Sequence, residues 1–259
     1  MSEPLLLRRD ENGIAWLTLN RPAQRNALSV ALMTALQGEI DAIAKDRRVK
    51  VVVIAGGGPG FCAGHDLREM RANPGRQHYE ALFAQCARLM TSIVRLPKPV
   101  IARVHGIATA AGCQLVATCD LAVAASDARF AVNGINIGLF CSTPMVALTR
   151  AVGRKPAMAM LMTGDFVSAD EARAIGLINR VVPGDQLDGE VWTLARQIAG
   201  KLGLAVAIGK EAFYRQAELD LDAAYAYAAE VMTKNMLARD TEEGIDAFLE
   251  KRPPNWENE

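Results

Sequence analysis

Residues 97–120 read PKPVIARVHGIATAAGCQLVATCD, and the fold class follows from how this stretch divides. Pro97 and Pro99 lack a main-chain donor and disfavour helix before them, so they end whatever helix precedes. Residues 100–104 (VIARV) then form a short apolar strand, and His105-Gly106 a turn. The small residues that follow predict a helix over 110–118, and residues 121–124 another buried strand. On the N-terminal side, residues 49–55 are an unbroken apolar run, as in a strand covered on both faces. A glycine-rich loop (56–60) and the segment FCAGHDL (61–67) follow it, and helical spacing predicts a helix over 77–95. Strand, loop, helix and strand thus recur, which predicts an α/β fold with short crossovers.

The flanks extend this pattern. Residues 5–7 and 14–19 read as a hairpin around Asn12-Gly13. Ser29 is a helix cap for Leu32, Met33, Leu36, Ile40 and Ile43, which recur at helical spacing. Beyond Pro144 the signals are mostly helical. Ser168 and Glu171 spell a capping box, and residues 177–182 a late strand stopped by Pro183-Gly184. From about 190 to 250 only helical periodicity remains.

The chain has 259 residues, 51% hydrophobic and 22% charged. A chain of this size buries roughly 70–75% of its unfolded surface, enough for a core without disulfides or structural metal. Twenty-nine basic and 29 acidic residues cancel. There is then no overall basic field for nucleic acid or an anionic membrane, and an anionic ligand must be held locally. The most membrane-like run, residues 107–119, is too short to span a bilayer. The five cysteines are odd in number with no C-x-x-C, which predicts free thiols. The three histidines have no metal-ligand spacing, so no metal is expected. With no signal-like N-terminus, a soluble cytoplasmic protein is expected.

Two turns carry the chemistry: residues 61–67 and residues 105–114, each after a buried strand. The second leads straight into a helix, whose first N–H groups are unpaired and partly positive. Two such N–H groups aimed at one point would make an oxyanion hole.

Both turns resemble the enoyl-CoA hydratase/isomerase (crotonase) family, as do IAWLTLNRPAQRNAL (14–28), FCAGHDLREM (61–70), residues 97–120, residues 164–182 and FLEKR (248–252). GLFCSTP (138–144) with ATAAGCQL (108–115) resembles one branch in particular. The resemblance covers essentially the whole chain and implies a spiral of ββα units over residues 1–200. A helical oligomerisation region (201–259) would then build homotrimers or dimers of trimers. The implied ligand is an acyl-CoA, with coenzyme A as part of the thioester substrate and no covalently bound cofactor. The implied oxyanion donors are the main-chain N–H groups of His65 and Ala111. Ala63, Asp66 and Leu67 would meet the adenine, and Gln24 and Arg25 would lie near the nucleotide. Lys251, from a neighbouring subunit, would lie near the phosphates.

Hydratases of the family use two glutamates. This sequence places Gln114 and Gly134 at those positions, so efficient hydration is not expected. Ser142, close to where another branch has a nucleophilic aspartate, is a candidate replacement, with Cys141 beside it. Met70, Phe83, Asn136, Leu139 and Phe140 would wall the acyl pocket with Gly134 and Cys141. Three readings stay open: an acyl-CoA enzyme working through enolate stabilisation, a non-catalytic acyl-CoA binder, and a thioesterase-like hydrolase using Gln114 or Ser142.

Overall fold

The computed structural model describes residues 3–257. Strands β1 (Leu6–Glu11) and β2 (Ile14–Leu19) form the N-terminal hairpin. Asn12 and Gly13 both have positive φ, 51° and 78°, as a tight hairpin turn requires. The chain continues through α1 (Val30–Lys45), β3 (Val51–Gly56), α2 (Leu67–Ala72) and α3 (Arg76–Arg95). Next come β4 (Val100–Val104), β5 (Ile107–Thr109), α4 (Ala111–Thr118), β6 (Leu121–Ala125) and β7 (Arg129–Ala131). After them follow α5 (Ser142–Ala151), α6 (Arg154–Thr163), β8 (Val167–Ser168), α7 (Ala169–Ala174) and β9 (Arg180–Val182). The C-terminal part is helical throughout: α8 (Leu187–Ala199), α9 (Gly203–Gln216), α10 (Leu221–Met236) and α11 (Arg239–Leu249).

One six-stranded sheet runs in the order β1-β2-β3-β4-β6-β9, parallel except for the hairpin. A three-stranded sheet runs β5-β7-β8. Each turn of the chain gives one strand to each sheet: β4 with β5, β6 with β7, β9 with β8. This is the spiral of ββα units expected of the fold.

The apolar run in β3 is explained by its two neighbours. Val51 and Val53 pack with Val123 and with Leu187, Val191 and Ala195 of α8. Val52 and Ile54 alternate to the other face and join the main core with Leu32, Leu36, Leu89 and Ile93. Ser29 caps α1 by accepting from Leu32 N, and the Ser168–Glu171 capping box closes both ways.

Four boundaries depart from the sequence reading. β1 runs on to Glu11, because an edge strand tolerates charged side chains: Arg9 and Asp10 are exposed, and Arg8 pairs with Asp10 and with Glu39 of α1. Ala110 is not helical: φ 49° and ψ −118° place it before α4, with its N–H donated to Ala131 O. The three-residue strands β5 and β7 are too short to show alternation in sequence. The late strand spans only Arg180–Val182, since Gly176 (φ 88°) turns the chain and Asn179 ties to Ala122.

The C-terminal helices are fastened to the end of the main sheet by a buried ion pair. Lys210 Nζ of α9 donates to Asp120 Oδ2 (2.7 Å), Ile93 O (2.9 Å) and Lys98 O (3.0 Å). Tyr214 OH donates to Asp120 Oδ1 at 2.8 Å, and Asp120 Oδ2 also accepts from Val100 N. Burial lowers the Lys210 ammonium from its ordinary value, against the pull of Asp120.

Candidate active site

Three segments lie side by side at the candidate site. The second turn is laced to the first by Phe61 N to His105 O, Cys62 N to Ile107 O and Thr109 N to Cys62 O. The first is laced to the segment after the hairpin by Ala63 N to Arg25 O, Leu28 N to Gly64 O and Asp66 N to Leu28 O. His65 sits between the last two bonds. A strand residue so flanked turns its own N–H to the opposite side. Ala111 opens α4, where an N–H has no partner within the helix. Among the described residues neither N–H has an acceptor.

Glycines bring these two N–H groups together. Gly64 has φ 91°, and a Cβ there would meet Ala110 Cβ at 2.9 Å, Thr109 O at 3.0 Å and Ala111 N at 3.2 Å. Gly112 lies so close to Cys62 that a Cβ would fall 2.1 Å from its carbonyl oxygen. Only hydrogen fits at either position.

Asn26, which the sequence reading passed over, holds the first turn in place. It is fully buried, with φ 55°. Its Nδ2 donates to Gly57 O, Gly60 O and Phe61 O, and its Oδ1 accepts from Arg21 N. Arg21 also pairs with Asp66 Oδ2 at 2.9 Å. The only sequence signal for either residue is the Asn-Arg-Pro…Asn run at 20–26. Asp66 is further committed as the cap of α2, accepting from Arg68 N and Glu69 N. Glu69 accepts from Val30 N. Desolvation raises the Asp66 pKa, but Arg21 and the capping N–H groups outweigh it and hold the carboxyl below its usual range.

A cleft of about 290 Å³ opens beside this loop, lined by Gln24, Arg25, Asp66, Leu67 and Arg68. It gathers four of the residues expected at the nucleotide and adds Arg68, which was not anticipated. Lys251 is exposed beyond α11 and is not among the lining residues. A larger groove of about 520 Å³ lies between α1 and α3, lined by residues such as Asp41, Arg88 and Arg95, none of them from the two turns.

On the acyl side the residues separate. Phe83 meets the His65 ring edge-on, 5.8 Å between centroids. Gln114 is 4% exposed, and its Oε1 accepts from the Cys86 thiol. Met70 and Met145 pack against the core. Leu139 and Phe140 are 49% and 38% exposed. Asn136 is turned to Gly164 O at the end of α6. Ser142 is exposed, and its hydroxyl donates to Phe140 O; among the described residues no side-chain base hydrogen-bonds it. Desolvation raises the Cys141 thiol, so this cysteine is not an activated nucleophile.

Position 134 is filled as well as empty of a carboxylate. After the 3-10 turn Asn133–Ile137, Gly138 (φ 80°) folds the chain back, and Leu139 N donates to Gly134 O. A Cβ at Gly134 would lie 2.5 Å from Leu139 O and 2.8 Å from Cys141 Sγ.

The His65 ring is enclosed, and burial lowers its pKa from the ordinary value, against smaller opposing contributions from Leu28 and Glu69. Below pH about 6.5 the unfolded chain takes up a proton there that the folded chain refuses, so stability falls as pH drops through that point. Urea unfolding at about pH 7.5 and about pH 5.5 is therefore expected to show a larger acid loss for wild type than for His65→Gln. Equal losses would mean that the imidazole stands in water.

The chain matches the sequence model of the enoyl-CoA hydratase/isomerase family over residues 9–259. It is 46% identical over 256 residues to the enoyl-CoA hydratase domain-containing protein 3 of Rattus norvegicus, covering 98% of this chain and 85% of that one. The crystal structure of the human protein of that name superposes with a TM-score of 0.95 at 46% identity, covering 98% of this chain and 100% of that one. An enoyl-CoA hydratase structure from Mycobacterium smegmatis gives 0.96 at 60% identity, with 98% and 99% covered. The branch marked by GLFCSTP and ATAAGCQL is that of the rat and human proteins. The rat, human and Danio rerio relatives are named mitochondrial, which overturns the cytoplasmic location expected from the sequence.

Proposed function

The chain belongs to the enoyl-CoA hydratase/isomerase family, and from that premise we propose that it acts on acyl-CoA thioesters by stabilising an enolate. The thioester oxygen is held between the N–H groups of His65 and Ala111. One observation carries this reading: both N–H groups lack acceptors and are set against each other by Gly64, which no other residue can replace without a clash. Preorganised donors of this kind each contribute on the order of 10²–10³ in rate. Arg25 and Arg68 at the cleft are the cations for the coenzyme A phosphates.

Hydration is not the natural task. An amide at 114 accepts no proton from water, and position 134 has no room for a carboxylate. Loss of a general acid or base costs about 10²–10⁴ in rate per group. Reactions that need mainly the oxyanion hole, decarboxylation among them, remain within reach. A non-catalytic acyl-CoA binder is the second reading, favoured by the loss of both carboxylates. A Ser142-based hydrolase is disfavoured, because the hydroxyl has no base.

Crotonyl-CoA hydration by wild type is expected to be slow, and Gln114→Glu is expected to raise it about ten-fold or more. Stopped assays at high enzyme concentration measure both. Rapid hydration by wild type would reveal a base not described above. Binding without turnover across a broad acyl-CoA panel would favour the second reading.

The exposed apolar residues of α9–α11 support a homotrimer or a dimer of trimers. Phe213, Tyr225, Leu237, Phe248 and Leu249 are 65–82% exposed. Large apolar side chains left this exposed on three successive helices are what an interface would cover. Light scattering on the eluting protein tests it, and a monomer at micromolar concentration would rule it out.

A further inference from the structure

The glycine-rich loop (56–60) touches two turns at once. Gly58, with φ 72°, lies flat against Pro22, so that a Cβ there would collide with Pro22 Cβ. Pro22 opens the 3-10 turn Pro22–Gln24, and Arg25 N donates back to Pro22 O. Gly58 therefore underlies the segment that gives Gln24 and Arg25 to the 290 Å³ cleft. The loop also rests on His105-Gly106, where a Cβ at Gly106 would collide with Pro59 O. Asn26 takes the carbonyls of Gly57, Gly60 and Phe61. The carbonyl of Gly58 goes to the His105 ring, whose Nε2 lies 2.7 Å from it. The other ring nitrogen, Nδ1, lies 2.7 Å from Arg103 Nη1 of β4. Arg103 Nε in turn donates to Asp188 Oδ1 of α8 at 2.8 Å.

This deepens the proposed function and rests on its acyl-CoA reading. We infer that His105 is a positioning residue for the coenzyme A end of the ligand: through Gly58 its ring sets the turn that carries Gln24 and Arg25 at the cleft. A guanidinium has only donors, so Nδ1 facing Arg103 accepts. A carbonyl only accepts, so Nε2 facing Gly58 donates. The two neighbours together select one neutral tautomer and one orientation of the ring. Gly58 has more backbone freedom than any other residue type would have in a free loop, and a fixed bond to its carbonyl removes that freedom. A cleft already shaped when the ligand arrives binds it more tightly than one ordered on binding. The oxyanion donors do not depend on this ring. The two turns that carry them are tied by main-chain bonds, Phe61 N to His105 O and Thr109 N to Cys62 O.

Calorimetric titration of the full chain with coenzyme A tests the inference. His105→Leu, which loses both ring bonds, is expected to weaken binding about five- to ten-fold. Two amide variants separate the bonds. A Gln side chain is long enough to bring its Nε2–H to Gly58 O, and His105→Gln is expected to stay within about two-fold of wild type. An Asn side chain places its oxygen beside Arg103 but ends short of Gly58, and His105→Asn is expected to bind as weakly as His105→Leu. A role in stability alone would not order the affinities of folded variants in this way. Arg103→Met leaves residue 105 unchanged but frees the ring to turn, and it is expected to weaken binding about two- to five-fold. Where His105→Leu fails to fold, the amide pair and Arg103→Met decide the matter. Wild-type affinity in a folded His105→Leu protein, or equal losses in the Gln and Asn variants, would overturn the inference while the acyl-CoA reading stands. Failure of the wild-type chain to bind coenzyme A would overturn that reading and this inference with it.

Discussion

Gly64→Ala is expected to cut acyl-CoA turnover by about 10²–10³-fold, as large a loss as removing one oxyanion donor outright. The added methyl meets Ala110 Cβ at 2.9 Å and Thr109 O at 3.0 Å, and neither is the loose end of a flexible side chain. The φ of 91° adds strain that a non-glycine residue bears at a cost of about 1–3 kcal/mol. The two turns must part, and the His65 and Ala111 N–H groups with them. The loss falls on kcat as well as on kcat/KM, because the interaction strengthens as the enolate forms. Gly38→Ala is the control: it lies in α1 with nothing within 4 Å of the added carbon. A folded Gly64→Ala protein within two-fold of wild-type turnover would remove these N–H groups from the mechanism.

Asp120→Ala is expected to destabilise the chain by about 3–5 kcal/mol, the usual cost of removing one partner of a buried ion pair. Asp120 accepts from Lys210, Tyr214 and Val100, and the Lys210 and Asp120 side chains are 6% and 15% exposed. Removing the carboxylate strands the ammonium among main-chain carbonyls at the point where α9 meets the sheet. Asp120→Asn, which keeps the size and part of the bonding, is expected to lose less. Urea unfolding measures both, and a loss below about 1 kcal/mol for Asp120→Ala would show that α9 is held by its apolar contacts instead.

Where local chemistry dominates, the sequence reading and the structure agree closely. Residues 14–19 and 100–104 match their strands residue for residue, and Ser29 caps its helix as the residue type dictates. Agreement fails where a structure is decided across distance. β5 and β7 exist because they pair with each other and with β8, and three residues carry no period. In the site, the assignment of Gln114 and Gly134 to the family's two glutamate positions comes from the family resemblance alone. The closing of the Gly134 space by Leu139, the grip of Asn26 on three carbonyls and the Cys86–Gln114 bond were not legible. Each depends on a fold-made neighbour rather than on spacing. Asn136, expected in the acyl wall, and Ser142, expected as a catalytic replacement, spend their side chains on Gly164 O and Phe140 O, bonds that no spacing in the sequence announces.

The Leu139 carbonyl packed against Gly134 makes a carboxylate at position 134 hard to introduce. A glutamate substituted there would arrive in a crowded space and weaken the fold. Any side chain at 134 would need the 138–141 loop to change first. Position 134 and the 138–141 loop therefore act as one unit, and a side chain at the first is tolerated only after a change in the second.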